Sequence, residues 1–288
     1  MRSFSDSNPI VLLIYFIATA GTAMFLMNPV ILAISLLGAV LLFYRAVHVG
    51  RSPVFMIILW LVIALLNPLF YHNGRTVLLV VNNNPITLEA LIYGMVSATM
   101  VVAVLYWCRS FSNIMTSDRV LYLFGRFAPR IALGVSMAIR YVPLFGAQTR
   151  KVNRAQKAMG LYADDNPVNA FRGGVRVASV MTTWALENGI TTADSMDARG
   201  YGCRKRTSYS LFRFRKQDML LLTLILAAFT VTIFCAGDTA MTYYPDTSRI
   251  PGSKSALTAY ISYAVLALLP FGYGIAEDLR WKYLQSKI

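Results

Sequence analysis

Charge is what this sequence has least of. Only 14% of its 288 residues are Asp, Glu, Lys or Arg, against about 25% in soluble domains. That shortage, with 57% hydrophobic residues, places the chain in the membrane class. Cysteine is nearly as scarce. Cys108, Cys203 and Cys235 are scattered without a Cys-x-x-Cys spacing, which leaves no disulfide framework to build. With only His48 and His72 beside them, no zinc-type ligand set is indicated either. A Gly-x-x-x-x-Gly-Lys-Ser/Thr loop is missing throughout, so the chain has no such phosphate cradle of its own.

What is present is long apolar runs. A membrane helix needs about 20 mainly apolar residues, with a range of about 17–25. Six segments approach this, at roughly 9–27, 29–44, 54–71, 88–108, 217–236 and 257–275. The first two meet at Asn28-Pro29, a tight turn, because proline disfavours helix at the residue before it. The second is short enough to be tilted or incomplete. The N-terminus mimics a secretory signal, with Arg2, an apolar stretch and then Ala18-Thr19-Ala20. The apolar segment that follows at once gives it a hairpin partner, so a retained helix is expected.

Basic residues set the expected orientation. With both termini in the cytoplasm, all of the 27 lysines and arginines except Arg75, Arg249 and Lys254 lie inside. The reverse would translocate nearly all of them. The net charge of +14 is therefore explained by topology, and nucleic acid is rejected as a partner. The expected organisation is N-terminal membrane helices over 1–108, a cytoplasmic domain over 109–216, and C-terminal membrane helices with a short tail over 217–288. The fold class is all-α, a polytopic membrane protein with about six membrane helices and about three cytoplasmic ones.

Outside the bilayer, His72-Asn73-Gly74 and Asn82-Asn83-Asn84-Pro85 are turn signals. The β-branched run between them, 75–81, is a small strand or a helix cap. Thr87 is the expected N-cap of the fourth helix. In the central block, Ser117-Asp118-Arg119 opens a short amphipathic helix with Val120, Leu121, Leu123, Phe124 and Phe127 on one face, and Pro129 ends it. The run 131–145 is apolar but carries Arg140 and Pro143, and is read as a helix at the interface or leaving it. Residues 148–159 follow as a basic face with Arg150, Lys151, Arg154 and Lys157, stopped at Gly160. After the turn Asp164-Asp165-Asn166-Pro167, a helix from about Val168 to Ala198 carries Trp184 and, late in its course, Glu187, Asp194 and Asp197. Gly200 closes it. At ~1.5 Å per residue such a helix is about 45 Å long. Beyond it, Arg204-Lys205-Arg206, Arg213, Arg215 and Lys216 form a basic connector, suited to anionic membrane lipid.

Two helix ends share a sequence, Ala155-Gln156-Lys157-Ala158-Met159-Gly160 and Asp194-Ser195-Met196-Asp197-Ala198-Arg199-Gly200. This resembles the transmembrane T component of energy-coupling factor (ECF) transporters, which carries two Ala-Arg-Gly-type motifs at the ends of its coupling helices. Asn67-Pro68-Leu69-Phe70, the 74–76 turn and Pro85-Ile86-Thr87-Leu88-Glu89-Ala90 resemble that family's third-to-fourth helix region. Ser117-Asp118-Arg119 and Arg140-Tyr141-Val142-Pro143-Leu144 resemble the start of its coupling domain. The resemblance runs from about Asn67 to Lys216 and is weaker before that. One departure stands out: Met159 replaces the arginine of the first motif. Arg199 alone carries the motif arginine.

The resemblance implies a non-enzymatic coupling subunit of a vitamin or metal-ion importer. It implies two ABC-type ATPase subunits as partners, holding ATP and magnesium, and a membrane-embedded substrate-binding S component; no cofactor is bound by this chain. The implied ATPase-docking residues are Ala198, Arg199 and Gly200 in one tip and Ala158, Met159 and Gly160 in the other. Arg154, Lys157, Asp194, Asp197 and Trp184 would support them. Docking at the first tip is left to Met159 packing, or to Lys157 or Arg154. A guanidinium offers five donors in a rigid fork, and its charge suits a helix C-terminus. The plain alternative is that Arg199 pairs with Asp194 or Asp197 and merely caps its helix.

Two other functions compete. Asp197-Ala198-Arg199-Gly200 superficially resembles the CDP-alcohol phosphotransferase signature, but only Asp194 and Asp197 are near each other, too few for the metal-holding carboxylates that chemistry needs. A stand-alone channel or secondary carrier is the second rival. Intramembrane charges usually mark such pathways, and the six segments hold almost none.

Overall fold

The computed structural model describes residues 4–46, 53–71, 74–81, 84–160, 167–203, 212 and 214–286. The expected turns at His72-Asn73, Asn82-Asn83 and Asp164-Asp165-Asn166, and the connector Arg204-Lys205-Arg206, lie outside the described residues. The chain divides into two compact units. One is Met1–Val120 with Phe212–Ile288; the other is the inserted Leu121–Leu211.

The first unit contains the six apolar helices expected from the sequence. They are α1 (Pro9–Phe25), α2 (Pro29–Ala46), α3 (Val54–Phe70), α4 (Leu88–Ile114) and, after the insertion, the last two, Lys216–Phe234 and Lys254–Gln285. Of these, α4 and the last two are long and apolar enough to cross a membrane. The first three, at 17, 18 and 17 residues, stand at the lower limit of about 17. Pairing with neighbours brings them together through small residues. A Cβ on Gly94 of α4 would lie 2.7 Å from the Ala64 carbonyl oxygen of α3, and one on Gly38 of α2 would lie 2.8 Å from the Ala267 carbonyl oxygen of the last helix.

The core is aromatic and polar at once. Trp107, Tyr15 and Tyr263 are fully buried. Trp107 Nε1 donates to Ser35 Oγ at 3.0 Å and the Tyr263 hydroxyl to the Thr19 carbonyl at 3.2 Å. In a bilayer each such group must find its partner inside the protein. The turn at Asn28-Pro29 is fixed in the same way. The Asn28 side chain accepts from Val30 N at 2.9 Å, while its Nδ2 donates to the Thr239 carbonyl and the Tyr260 hydroxyl.

The connection from α3 to α4 resolves the choice left open at 75–81. It is a strand: β1 (Val77–Val81) pairs antiparallel with β2 (Asn84–Thr87). Thr87 caps α4 by accepting from Ala90 N. Glu89, in the first turn of α4, accepts from Thr76 N at 3.2 Å and from the Thr76 hydroxyl at 2.8 Å. The segment before the last helix is anchored nearby: Tyr243 and Tyr244 pack on Tyr93, and Arg75 pairs with Asp246 at 2.8 Å.

The insertion adds three helices, α5 (Ser117–Phe127), α6 (Pro129–Ala158) and α7 (Pro167–Ala198), so that the two after it are α8 (Lys216–Phe234) and α9 (Lys254–Gln285). One sequence expectation is corrected here. The runs 131–145 and 148–159 are not separate pieces but one 30-residue helix with Pro143 inside it. Proline there removes a single backbone bond, to the carbonyl four residues back, and the helix continues on both sides. By length and composition α6 also meets the measure of a membrane span, which neither half does alone.

Candidate functional site

Helices α6 and α7 meet near their middles. The Tyr141 hydroxyl and Thr192 Oγ1 are 2.7 Å apart, and the Phe145 and Trp184 rings meet edge to face with centroids 5.4 Å apart. Moving forward from Tyr141 to Phe145 on α6 means moving back from Thr192 to Trp184 on α7. The helices therefore cross in antiparallel sense, and their C-terminal ends point away from the crossing in opposite directions. Beyond the crossing α6 runs on from Phe145 to Ala158, about 20 Å of helix, and α7 from Thr192 to Ala198, about 9 Å, at ~1.5 Å per residue.

Little else holds these arms. On α6 beyond the crossing only Gln156 is buried, and its Oε1 has no hydrogen-bond partner. The polar side chains of α7 turn inward to their own helix. Thr182, Thr183, Thr191 and Thr192 each donate to the carbonyl four residues back, and so does Asn188 through Nδ2. This satisfies them locally, and one of the five, Thr192, also meets α6, through Tyr141.

The two ends share one backbone geometry. At α7, Arg199 N donates to the Ser195 carbonyl, Gly200 N to Asp197 at 2.9 Å and Tyr201 N to Met196 at 3.0 Å. The last two bonds are the pair that defines a Schellman cap. Gly200 has φ +80°, which glycine adopts without cost. At α6, Met159 N donates to Ala155 at 3.1 Å and Gly160 N to Lys157 at 3.0 Å, with Gly160 at φ +70°. These two offsets match those of Arg199 and Gly200 on α7; the residue after Gly160 lies outside the described residues, and the second Schellman bond is described at α7 alone. No heavy atom would lie within 4 Å of a Cβ on either glycine, so φ, not space within this chain, requires glycine.

The side chains differ. Met159 is 66% exposed. Around it Arg150, Lys151, Arg154 and Lys157 are exposed, giving a basic tip. Arg199 is exposed at the other tip, with Asp194 and Asp197, also exposed, before it. Ala158 and Ala198 are exposed as well. The sequence left open that Arg199 is consumed by Asp194 or Asp197. Among the described residues no carboxylate forms an ion pair with it, so the fork faces outward. Trp184 belongs to the crossing with Phe145, not to a tip. Tyr141 was noted only as part of the 140–144 resemblance, and Phe145 and Thr192 were given no role by sequence reasoning. Their signal was the aromatic pair one helical turn apart on α6.

An apolar helical bundle interrupted by an inserted helical unit, with two exposed, glycine-capped helix ends, defines a class: a helical membrane protein with a polar insertion. The chain belongs to the CbiQ family, described as cobalt transport protein, whose model matches residues 7–209. It is thus a transmembrane component of the energy-coupling factor transporter type. It is similar to the energy-coupling factor transporter transmembrane protein EcfT of Listeria innocua, 27% identical over 60% of this chain and 69% of that one. It is also similar to the EcfT of Leuconostoc gelidum, 25% identical over 59% of this chain and 66% of that one. An uncharacterized protein of Mycoplasma genitalium is 31% identical over 36% of this chain. The match spans a quarter of the length of the Mycoplasma protein, 25%.

Proposed function

We propose that this chain couples ATP hydrolysis by two partner ATPases to movement of a membrane-embedded substrate-binding component. The single observation behind this reading is the pair of tips: two positive-φ glycine caps, opposite directions, and an arginine fork that pairs with no carboxylate among the described residues. Each tip would seat in a groove on one ATPase, with the inserted unit and both termini on the cytoplasmic side. The ATPases would carry ATP and magnesium. When they close, the α6 and α7 tips would be displaced, and α5 and α8 would carry the displacement into the bundle. The cargo belongs to the substrate-binding component and is a vitamin or metal ion.

The chemistry of the tips fits that role. A guanidinium meeting a carboxylate in a groove forms two parallel bonds, and truncating a desolvated pair of this kind costs about 2–5 kcal/mol. Apolar side chains left exposed on α7, Val175, Val180, Leu186 and Ile190, add area for packing. The bundle supports a role in transmission over one in permeation. Its buried carboxylates among the described residues, Glu89 and Asp218, sit in the first turns of α4 and α8 and not at mid-helix, where a permeation path places its charges.

The test is copurification from the native membrane. ATPase subunits should be retained by the unaltered chain and lost with Arg199→Glu, while the altered chain still elutes as a folded membrane protein. Retention of both ATPases by Arg199→Glu would refute the docking role.

A further inference from the structure

The insertion leaves the bundle through α5 and returns through α8, and both crossing points converge on one short segment near the N-terminus. Arg119, in the first turn of α5, has only 14% of its side chain exposed. Its Nη1 donates to the Ile114 carbonyl at the end of α4, 2.7 Å away, and its Nη2 stands 3.7 Å from Asp6 Oδ1. Burial disfavours the charged guanidinium there, and Asp6 opposes that shift. Two residues along from Asp6, Asn8 N donates to Asp218 Oδ1 at 3.2 Å. Asp218 is buried in the first turn of α8, and its Oδ2 accepts from Arg215 N at 3.0 Å.

The segment itself is anchored. Phe4 is buried, with its ring 5.2 Å from that of Tyr15 and 6.5 Å from that of Tyr273. Asn8 is 2% exposed and caps α1 by accepting from Ile10 N at 3.0 Å. The departing helix and the returning helix are thus tied to the same few residues, by a charged contact on one side and a carboxylate shared between two backbone donors on the other. Simple retention of the N-terminus would need neither tie.

We propose that residues 4–8 are a clamp that holds both roots of the inserted unit, and that Arg119 and Asp218 are positioning residues that make displacement of that unit reach the bundle. The second half rests on the coupling role proposed above; the clamp itself does not. Without it, α5 and α8 would flex at their roots and movement of the tips would be absorbed there.

Two arms of one hydrogen-exchange experiment separate these statements. In the lone chain in lipid nanodiscs, Arg119→Ala should speed amide exchange over 115–120 and over 8–12 by at least about tenfold, the scale set by losing a charge-assisted bond. Exchange in α2 and α3 should stay as it was, and Arg119→Lys should restore part of the protection. Asp218→Asn should loosen 8–12 and the start of α8. Unchanged protection in both variants would overturn the clamp. In the complex with its ATPases, trapping with MgATP and vanadate should alter exchange both in α5 and at the start of α1. In Arg119→Ala and Asp218→Asn the response should stop in α5 and α8, with ATP hydrolysis retained. An undiminished response at α1 would overturn the positioning role. If no ATPase copurifies with the unaltered chain, the coupling role fails, and the nanodisc arm still decides the clamp.

Discussion

The tips of α6 and α7 have the same backbone and opposite chemistry. Both end in Ala-x-Gly with a positive-φ glycine, and in both the residue before the glycine and the glycine itself donate to carbonyls four and three residues back. One is ringed by Arg150, Lys151, Arg154 and Lys157 around an exposed methionine; the other presents Asp194, Asp197 and an unpaired Arg199. The charges on α6 agree with its helix dipole, whereas the aspartates on α7 oppose theirs. A cap needs only the glycine and the terminal carbonyls, so shape has been kept where side chains have diverged. In the proposed docking the two tips would bind through different forces: a directional fork at α7, a diffuse cationic field with an apolar centre at α6.

The sharpest way to break this comparison is Arg199→Glu, expected to cost about 2–5 kcal/mol of docking, read as lost copurification at low and high salt alike. Arg199→Lys should recover less than half of that, because an ammonium cannot make the two parallel bonds. Next come the caps. Gly160→Ala and Gly200→Ala should each destabilise their helix end by about 1–2 kcal/mol, the cost of a left-handed conformation for an L-residue. Amide exchange in the last turns should show the two changes to be equal, because the geometry is shared. Arg154→Glu should weaken docking by about 1 kcal/mol or less, as exposed charges do, with the loss vanishing as salt rises. Salt-independent loss would mean that the α6 tip binds by a buried contact instead. The smallest effect on the tips is expected from Thr87→Ala. It should lower the thermal stability of the bundle by about 1 kcal/mol through the cap of α4 and leave docking unchanged.

Local signals carried much of this structure. Thr87, Gly160 and Gly200 each act within four residues of themselves, and each does in the fold what its neighbours in sequence imply; the turn at Asn28-Pro29 is also local, though Asn28 Nδ2 reaches Thr239 and Tyr260 as well. The β-branched run before Asn84 became a strand for the same reason. The continuity of α6 was not legible, because the apolar run 131–145 and the basic run 148–159 differ in composition, whereas a helix is continued by its backbone turns on both sides. The ties from Asp6 to Arg119 and from Asn8 to Asp218 had no signature at all; the second joins residues 210 apart, and no periodicity spans such a distance. The free state of Arg199 was equally hidden. Sequence spacing permits pairing with Asp194 or Asp197, and among the described residues no such ion pair forms.

The crossing of Tyr141 and Phe145 with Thr192 and Trp184 has a mechanical reading. It would act as a pivot with blades of unequal length, the longer one on α6. Opening the angle there would sweep the α6 end through the longer stroke, whatever residue each end carries. Replacing arginine by Met159 on one blade therefore alters how firmly that end is held, and leaves how far it travels untouched.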